Sequence, residues 1–372
     1  MKTELTIGII GAGSFAAFAS KAFLKIEGIK IIAISDVNEQ AGKQLAEELN
    51  AKFYPSYQEL LENNVIDLVY IATPPFLHFE ISKTALLAGR HVICEKPAAL
   101  KTSEAEELKK LAKERKRLYV VNLMQRYNPL YQAVKKIIQE KMLGNFLHGF
   151  FENYASDETL NKEHWFWDEA KSGGIFIEHG VHFFDMFSGW LGNGKVINAL
   201  QIHRKNVKPA IYDRVQATVL YPEGIVNFYH GFDQPNILDR QELRLQFEKG
   251  DITLYEWIPV KMKLHGLLKK EQLKTLQELL GSFSTVEHNL NKPEQKMSGR
   301  FSDLSSDDLV IIEYGSSAEK QNRYQQMLTD MLQDQWSWIR NNDHIRTIDD
   351  NNAVESIRMA EHAKEIAQKF NC

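Results

Sequence analysis

The chain has 372 residues, enough at roughly 100–200 residues per domain for two domains with sizeable cores. A formal net charge of −4 offers no basic field for a nucleic acid, and no run of about 18 apolar residues is present to cross a membrane. Its two cysteines, Cys94 and Cys372, are too far apart for a metal-ligand spacing and build no disulfide framework.

The first apolar run, residues 5–10, ends in a glycine turn and leaves little room before it for a secretory leader. With the sparse cysteines, this points to the cytoplasm. A helix is expected over 14–25, and a second apolar run, 29–34, ends at Ser35-Asp36. Then follow a helix over 38–49, a weak strand at 52–54, a short helix at 56–63, and the run 67–72. Helix 76–88, the run His91–Cys94, helix 102–116 and strand 118–123 complete the set. Apolar strands alternating with helices mean βαβ units, so residues 1–124 read as a doubly wound parallel-sheet (Rossmann) domain.

From residue 125 the pattern changes. A helix over 127–142 and a strand over 145–154 precede a glycine-opened helix at about 174–190. Period-2 segments then recur near 196–204, 214–221, 224–231, 241–249 and 251–258, several separated by tight-turn residues. Residues 125–372 therefore read as an α+β domain with a mostly antiparallel sheet. Within 261–283, Leu273, Leu276, Leu280 and Phe283 share a helical stripe; 284–306 reads as a polar loop and about 350–369 as the last helix.

The turn after the first strand is Gly11-Ala12-Gly13-Ser14-Phe15-Ala16. Gly11 permits the tight turn, Gly13 clears backbone for a pyrophosphate, and small Ala16 lets the helix pack on the strand. The helix N-terminus supplies free N–H groups and the positive dipole end. Asp36 closes the second strand, where a carboxylate accepts from the adenosine ribose hydroxyls and repels a 2′-phosphate. The expected cofactor is NAD, with NADP second.

Three further motifs fall into register: Ile-Ala-Thr-Pro-Pro-Phe-Leu-His at 71–78, Glu-Lys-Pro at 95–97, and Gly-Gly-Ile-Phe-Ile-Glu-His-Gly-Val-His-Phe-Phe-Asp at 173–185. In this order the chain resembles the Gfo/Idh/MocA family, the glucose–fructose oxidoreductase and inositol dehydrogenase relatives, over nearly its whole length. The resemblance implies a Rossmann domain followed by a domain with a large open antiparallel sheet, and hydride chemistry on a sugar or cyclitol with NAD(P). It places Lys96 at nicotinamide and substrate, makes Pro97 a cis candidate, and maps the family histidine to His182. Its acidic partner maps to Glu178, where the family usually has aspartate. It also implies a homodimer or homotetramer.

The residues support a site there independently. Helix 175–190 is apolar around most of its circumference, so its stripe of Glu178, His182 and Asp185 must be hydrogen-bonded or line a cavity. It is either a structural network pinning the helix or a proton-transfer pair, with His182 as acid–base, Glu178 orienting its ring or holding a substrate hydroxyl, and Asp185 structural. Lys96 follows a parallel strand, at the sheet edge where ligands bind, and Glu95 pairs with it or lines the cofactor. Thr73, Pro74 and His78 follow another strand end; His78 either lines the cofactor or fills the next helix. Trp165 covers the nicotinamide, stacks on a sugar face as a substrate residue, or packs in a core. Arg126 and Asn122 are supporting residues, and Tyr154 and His230 weaker substrate candidates. No metal site is expected.

The function expected is an NAD(P)-dependent oxidoreductase that interconverts a secondary alcohol and a ketone on a sugar, sugar derivative or cyclitol. Two alternatives stay open on the same residues: a ligand-sensing NAD-binding regulator, and an NAD-dependent glycosidase.

Overall fold

Short apolar segments that alternate with amphipathic ones leave the first part of the chain one way to satisfy its backbone: parallel pairing with helices over both faces. The computed structural model describes residues 3–161, 163–204, 211–289, 297–298, 303–304 and 308–371. The chain folds into two units. The first comprises Met1–Tyr127, Leu160–Asp185 and Tyr324–Glu365; the second comprises Asn128–Thr159, Met186–Arg323 and Ile366–Cys372.

In the first unit, β1 (Leu5–Ile10), α1 (Ser14–Phe23), β2 (Ile29–Ser35), α2 (Glu39–Glu48), β3 (Lys52–Tyr54), α3 (Tyr57–Glu62), β4 (Leu68–Ile71), α4 (His78–Leu87), β5 (His91–Cys94), α5 (Thr102–Arg115) and β6 (Tyr119–Val121) follow one another. Their strands form one parallel sheet in the order β3-β2-β1-β4-β5-β6. All of β1 is buried, as a strand covered on both faces must be. The strand order reverses between β1 and β4, which opens a crevice at their carboxyl ends. Cys94 lies at the end of β5 with its thiol buried, which pushes its pKa upward.

Asn128 caps α6 (Pro129–Gln139), which leads to β7 (Phe146–Ser156) of the second unit. The short α7 (Glu169–Ser172) and α8 (Val181–Leu191) come next, then β8 (Lys195–His203), β9 (Tyr212–Tyr221), β10 (Gly224–Gln234), β11 (Arg240–Phe247), β12 (Gly250–Tyr255), β13 (Lys261–Leu268), α9 (Lys270–Leu280) and β14 (Ser284–Asn289). A two-residue pair, β15 (Met297–Ser298) and β16 (Asp303–Leu304), precedes β17 (Asp308–Gly315), α10 (Lys320–Arg340), α11 (Asp350–Ile366) and β18 (Gln368–Asn371).

The second unit is built on a ten-stranded, mostly antiparallel sheet, β14-β17-β13-β12-β11-β7-β10-β9-β8-β18. Among the described residues only β7–β10 and β8–β18 pair in parallel. Side chains alternate along its strands: Phe151, Asn153, Phe228 and His230 are buried, whereas Phe150, Glu152, Tyr154 and Tyr229 are half-exposed on the opposite face. Phe187 packs edge-on against Phe228, ring centroids 5.0 Å apart, and Trp190 stacks on Tyr131.

The sequence reading departs from the structure at the C-terminal end. Within 261–283, residues 261–268 are a strand in which Met262, Leu264 and Leu268 bury at period 2, and the helix that carries Leu273, Leu276 and Leu280 ends before Phe283. Within 284–306, residues 284–289 pair with β17 instead of looping; 290–296, 299–302 and 305–306 lie outside the described residues. The last helix stops at Ile366 and β18 follows it. No element was expected over 308–349, where β17 and the 21-residue α10 stand. Met327, Leu328, Met331, Leu332 and Trp336 form the buried stripe of α10 inside an otherwise polar sequence. Thr329 Oγ1 donates to the Ala22 carbonyl at 3.2 Å, and the Thr102 N–H donates to Glu361 at 2.8 Å, so α10 and α11 dress the first sheet.

Candidate active site

The carboxyl ends of β1, β2, β4, β5 and β6 bring the expected cofactor residues to one edge of the first unit's sheet. Gly11 has φ +99°, and a Cβ there would lie 2.5 Å from the Ala72 carbonyl oxygen, so the turn requires glycine. At Gly13 an added Cβ would meet nothing within 4 Å. Gly13 caps α1 without a side-chain bond, which leaves the helix's first N–H groups open beside Ser14. Ala16 is fully buried, and Phe15 lies against Phe18 and Tyr324.

Asp36 faces the same loop. Its Oδ2 accepts from the Ala12 N–H and its Oδ1 from the Asn38 N–H, both at 2.6 Å. The next residue, Val37, is 98% exposed. Thr73 Oγ1 and Asn122 Oδ1 are buried without a partner among the described residues, an arrangement that an added polar ligand would satisfy. An open phosphate cradle, a ribose-length carboxylate and these orphaned oxygens fit a dinucleotide.

Around Pro74 the chain turns into a single helical turn at Pro75–Leu77 and then α4. The His78 ring nitrogens lie 2.7 Å from the carbonyl oxygens of Pro97 and Thr73. His78 is buried, so it ties the β4 turn to the Lys96–Pro97 peptide, which is cis. Burial lowers its pKa, assisted by the Lys96 charge.

Lys96 leaves the end of β5. Its ammonium donates to the Glu178 carbonyl at 2.9 Å and also to Glu178 Oε1. Glu95 turns the other way: its Oε1 accepts from Tyr70 Oη and, at 2.7 Å, from Asn122 Nδ2. Burial raises the Glu95 pKa, and Tyr70, Asn122 and Lys96 work against that rise.

The stripe expected on one helix is built differently. Phe176–Gly180 is π-helical and α8 begins only at Val181, so 100° per residue does not describe the first turn. Glu178, His182 and Asp185 are nonetheless all buried. Desolvation drives the His182 pKa well below its ordinary value, and the Lys96 charge adds to the effect. Asp185 turns away to a two-pronged pair with Arg126, at 2.8 Å for each prong, and accepts from Asn352. Trp165 is half-buried between His164 and Phe166.

Lys96, Glu178 and His182 thus belong to one unit, with the cofactor residues. The substrate candidates Tyr154 and His230 belong to the other and project from opposite faces of its sheet. Tyr154 packs against Tyr229 with Arg240 above its ring. His230 lies beside Phe151, and burial pushes its pKa down to about 3. Sequence reasoning missed Tyr70, which reads as an ordinary core strand residue, and Asn352, which reads as a helix-start residue.

The family profile described as "Oxidoreductase family, NAD-binding Rossmann fold" matches residues 5–123, and the Gfo/Idh/MocA C-terminal domain profile matches 131–253. The chain belongs to the Gfo/Idh/MocA family. It is therefore an oxidoreductase-family protein with an NAD(P)-binding Rossmann fold. The chain is 30% identical over 191 residues to an uncharacterised oxidoreductase of Synechocystis, covering 50% of this chain and 51% of that protein. It is 28% identical over 184 residues to the glucose-6-phosphate 3-dehydrogenase of Bacillus subtilis, covering 48% and 52%. The matches thus span about half the length of these two relatives. Its fold matches that of a 3-ketoreductase from Actinomadura kijaniata in complex with NADP, with TM-score 0.74, 16% identity and 99% of each chain covered.

Proposed function

We propose that the oxidoreductase interconverts a secondary alcohol and a ketone on a sugar, sugar derivative or cyclitol, with NAD preferred over NADP. The observation that carries this reading is the Lys96 ammonium, held on Glu178 at the same carboxyl edge of the sheet as the phosphate cradle, in one unit with the buried His182. A dinucleotide held by the Gly11–Ala16 turn and Asp36 would supply the hydride acceptor or donor for the carbinol carbon. With two of its three N–H donors on Glu178, Lys96 Nζ keeps one to hold the substrate oxygen, and its positive charge stabilises that oxygen as it loses its proton. His182 stays a neutral imidazole near pH 7, because burial lowers its pKa, and so can accept the hydroxyl proton. In the reverse direction it returns that proton to the carbonyl oxygen. Glu178 fixes the ammonium by two contacts and acts as a positioning residue.

NAD is preferred because Asp36 leaves a carboxylate where a 2′-phosphate would stand, and Val37 beside it brings no cation. The half-exposed face carrying Phe150, Tyr154 and Tyr229 is the surface through which two copies would associate; light scattering that shows only monomer would refute this.

A fluorescence screen for NADH formation over sugars and cyclitols tests the activity. On the substrate so found, Lys96→Met and His182→Ala are expected to lower kcat/KM by roughly 10²–10⁴. NADH affinity should change by less than about threefold. Unchanged kcat/KM in both variants would sink the assignment. Cleavage of a glycoside without net NADH would identify the glycosidase alternative, and cofactor that never changes redox state across the panel the sensing one.

A further inference from the structure

A second concavity of about 660 Å³ lies wholly within the first unit. α5 runs antiparallel to the strands and delivers Lys116 and Arg117 to the start of β6, so this cavity extends along α5, from Glu106 to the amino-terminal edge of the sheet. The dinucleotide residues occupy the opposite, carboxyl edge. Seven of its fifteen lining residues are Lys or Arg and three are Asp or Glu, in a chain whose net charge is −4.

The acids are largely spoken for. Arg358 pairs with both Glu106, at 3.0 Å, and Glu355. Lys113 and Lys116 form no ion pair among the described residues. Compensation of the α5 dipole accounts for cations in its last turn, but not for Arg346 and Arg358, which arrive from other elements. The Arg346 guanidinium lies 4.8 Å from the centroid of the Trp338 ring, and both line the cavity. Buried Ala112, Tyr119 and Val354 are its apolar lining. Excess cations, a flat aromatic–guanidinium wall and an apolar floor, in a volume typical of small-molecule pockets, recognise one kind of ligand: a planar ring carrying several negative charges.

We propose that this cavity is a second binding site, separate from the dinucleotide site, for a nucleoside diphosphate. Lys113 and Lys116 hold the phosphates, and Trp338 with Arg346 takes the base.

The test is calorimetric titration of the full chain with UDP in the presence of saturating NADH, which keeps the cofactor site filled. The expected result is one site with Kd below about 1 mM, since two charge-assisted contacts and a stack suffice for that range. Lys113→Gln with Lys116→Asn keeps two exposed polar residues, with asparagine suited to the left-handed φ of 53° at position 116. This pair should weaken UDP at least tenfold and leave NADH affinity unchanged. Trp338→Leu should weaken UDP but not inorganic pyrophosphate. No heat up to 5 mM UDP, or the same Kd in the double variant, overturns the proposal. Pyrophosphate binding as tightly as UDP overturns its ring-recognising half.

Discussion

Replacing Asp36 by serine tests the cofactor reading without knowledge of the substrate. The carboxylate accepts from Ala12 and Asn38, so it is anchored against the phosphate loop. A 2′-phosphate carries a charge near −2. Placed about 5 Å from Asp36, it is repelled by about 1.7 kcal/mol at the dielectric of water, and by more where solvent is excluded. That lower figure is roughly a 17-fold preference for NADH over NADPH. Lost ribose hydrogen bonds widen the gap, and salt narrows it. Asp36→Ser keeps one acceptor for the loop and removes the charge, so the ratio of NADPH to NADH dissociation constants should fall about tenfold or more. Both constants come from nucleotide fluorescence titration at fixed ionic strength. A wild-type chain that binds NADPH as tightly as NADH, or a variant with an unaltered ratio, would refute the reasoning.

Gly13→Val should separate folding from cofactor binding. The new Cβ meets no atom of the protein and the backbone there is extended, so the melting temperature should move by only a few degrees while NADH affinity falls about 100-fold or more. An unimpaired NADH titration would disprove the cradle. Stability should also decline on acidification. Burial, with the Arg117 charge, lowers the His91 pKa to about 4, and the Leu118 N–H donates to its Nδ1 at 2.9 Å. Below about pH 6.5 the unfolded chain takes up a proton that the folded ring refuses, so stability is lost between about pH 6.5 and 4, near 1.4 kcal/mol per pH unit. His91→Asn keeps an acceptor and removes the titration; urea unfolding at pH 6.5, 5.5 and 4.5 should show a slope shallower by about one proton, and equal slopes would discount His91.

Much of the site was legible because its parts are local. A glycine turn between strand and helix, an acid closing the next strand, and Glu-Lys-Pro after another each carry their meaning within a few residues of chain. Asp185 reads as structural from its place a turn deeper on the helix, and it is held there by Arg126 and Asn352. Tyr70 and Asn122 were harder to weigh, because their role depends on the Glu95 carboxylate, 25 and 27 residues away along the chain.

The alternation of apolar runs with helices determined the parallel sheet, and tight turns between period-2 segments determined the antiparallel one, because both patterns follow from which faces of a strand must be hidden from water. Tertiary structure alone decided the rest. The π-helical entry at Phe176–Gly180 sets where the Glu178 carboxylate meets Lys96, and opposite sheet faces separate Tyr154 from His230. The stripe of α10 shows as apolar only once a surface exists to receive it. Such features depend on contacts between residues far apart in the chain, whose geometry no local spacing encodes.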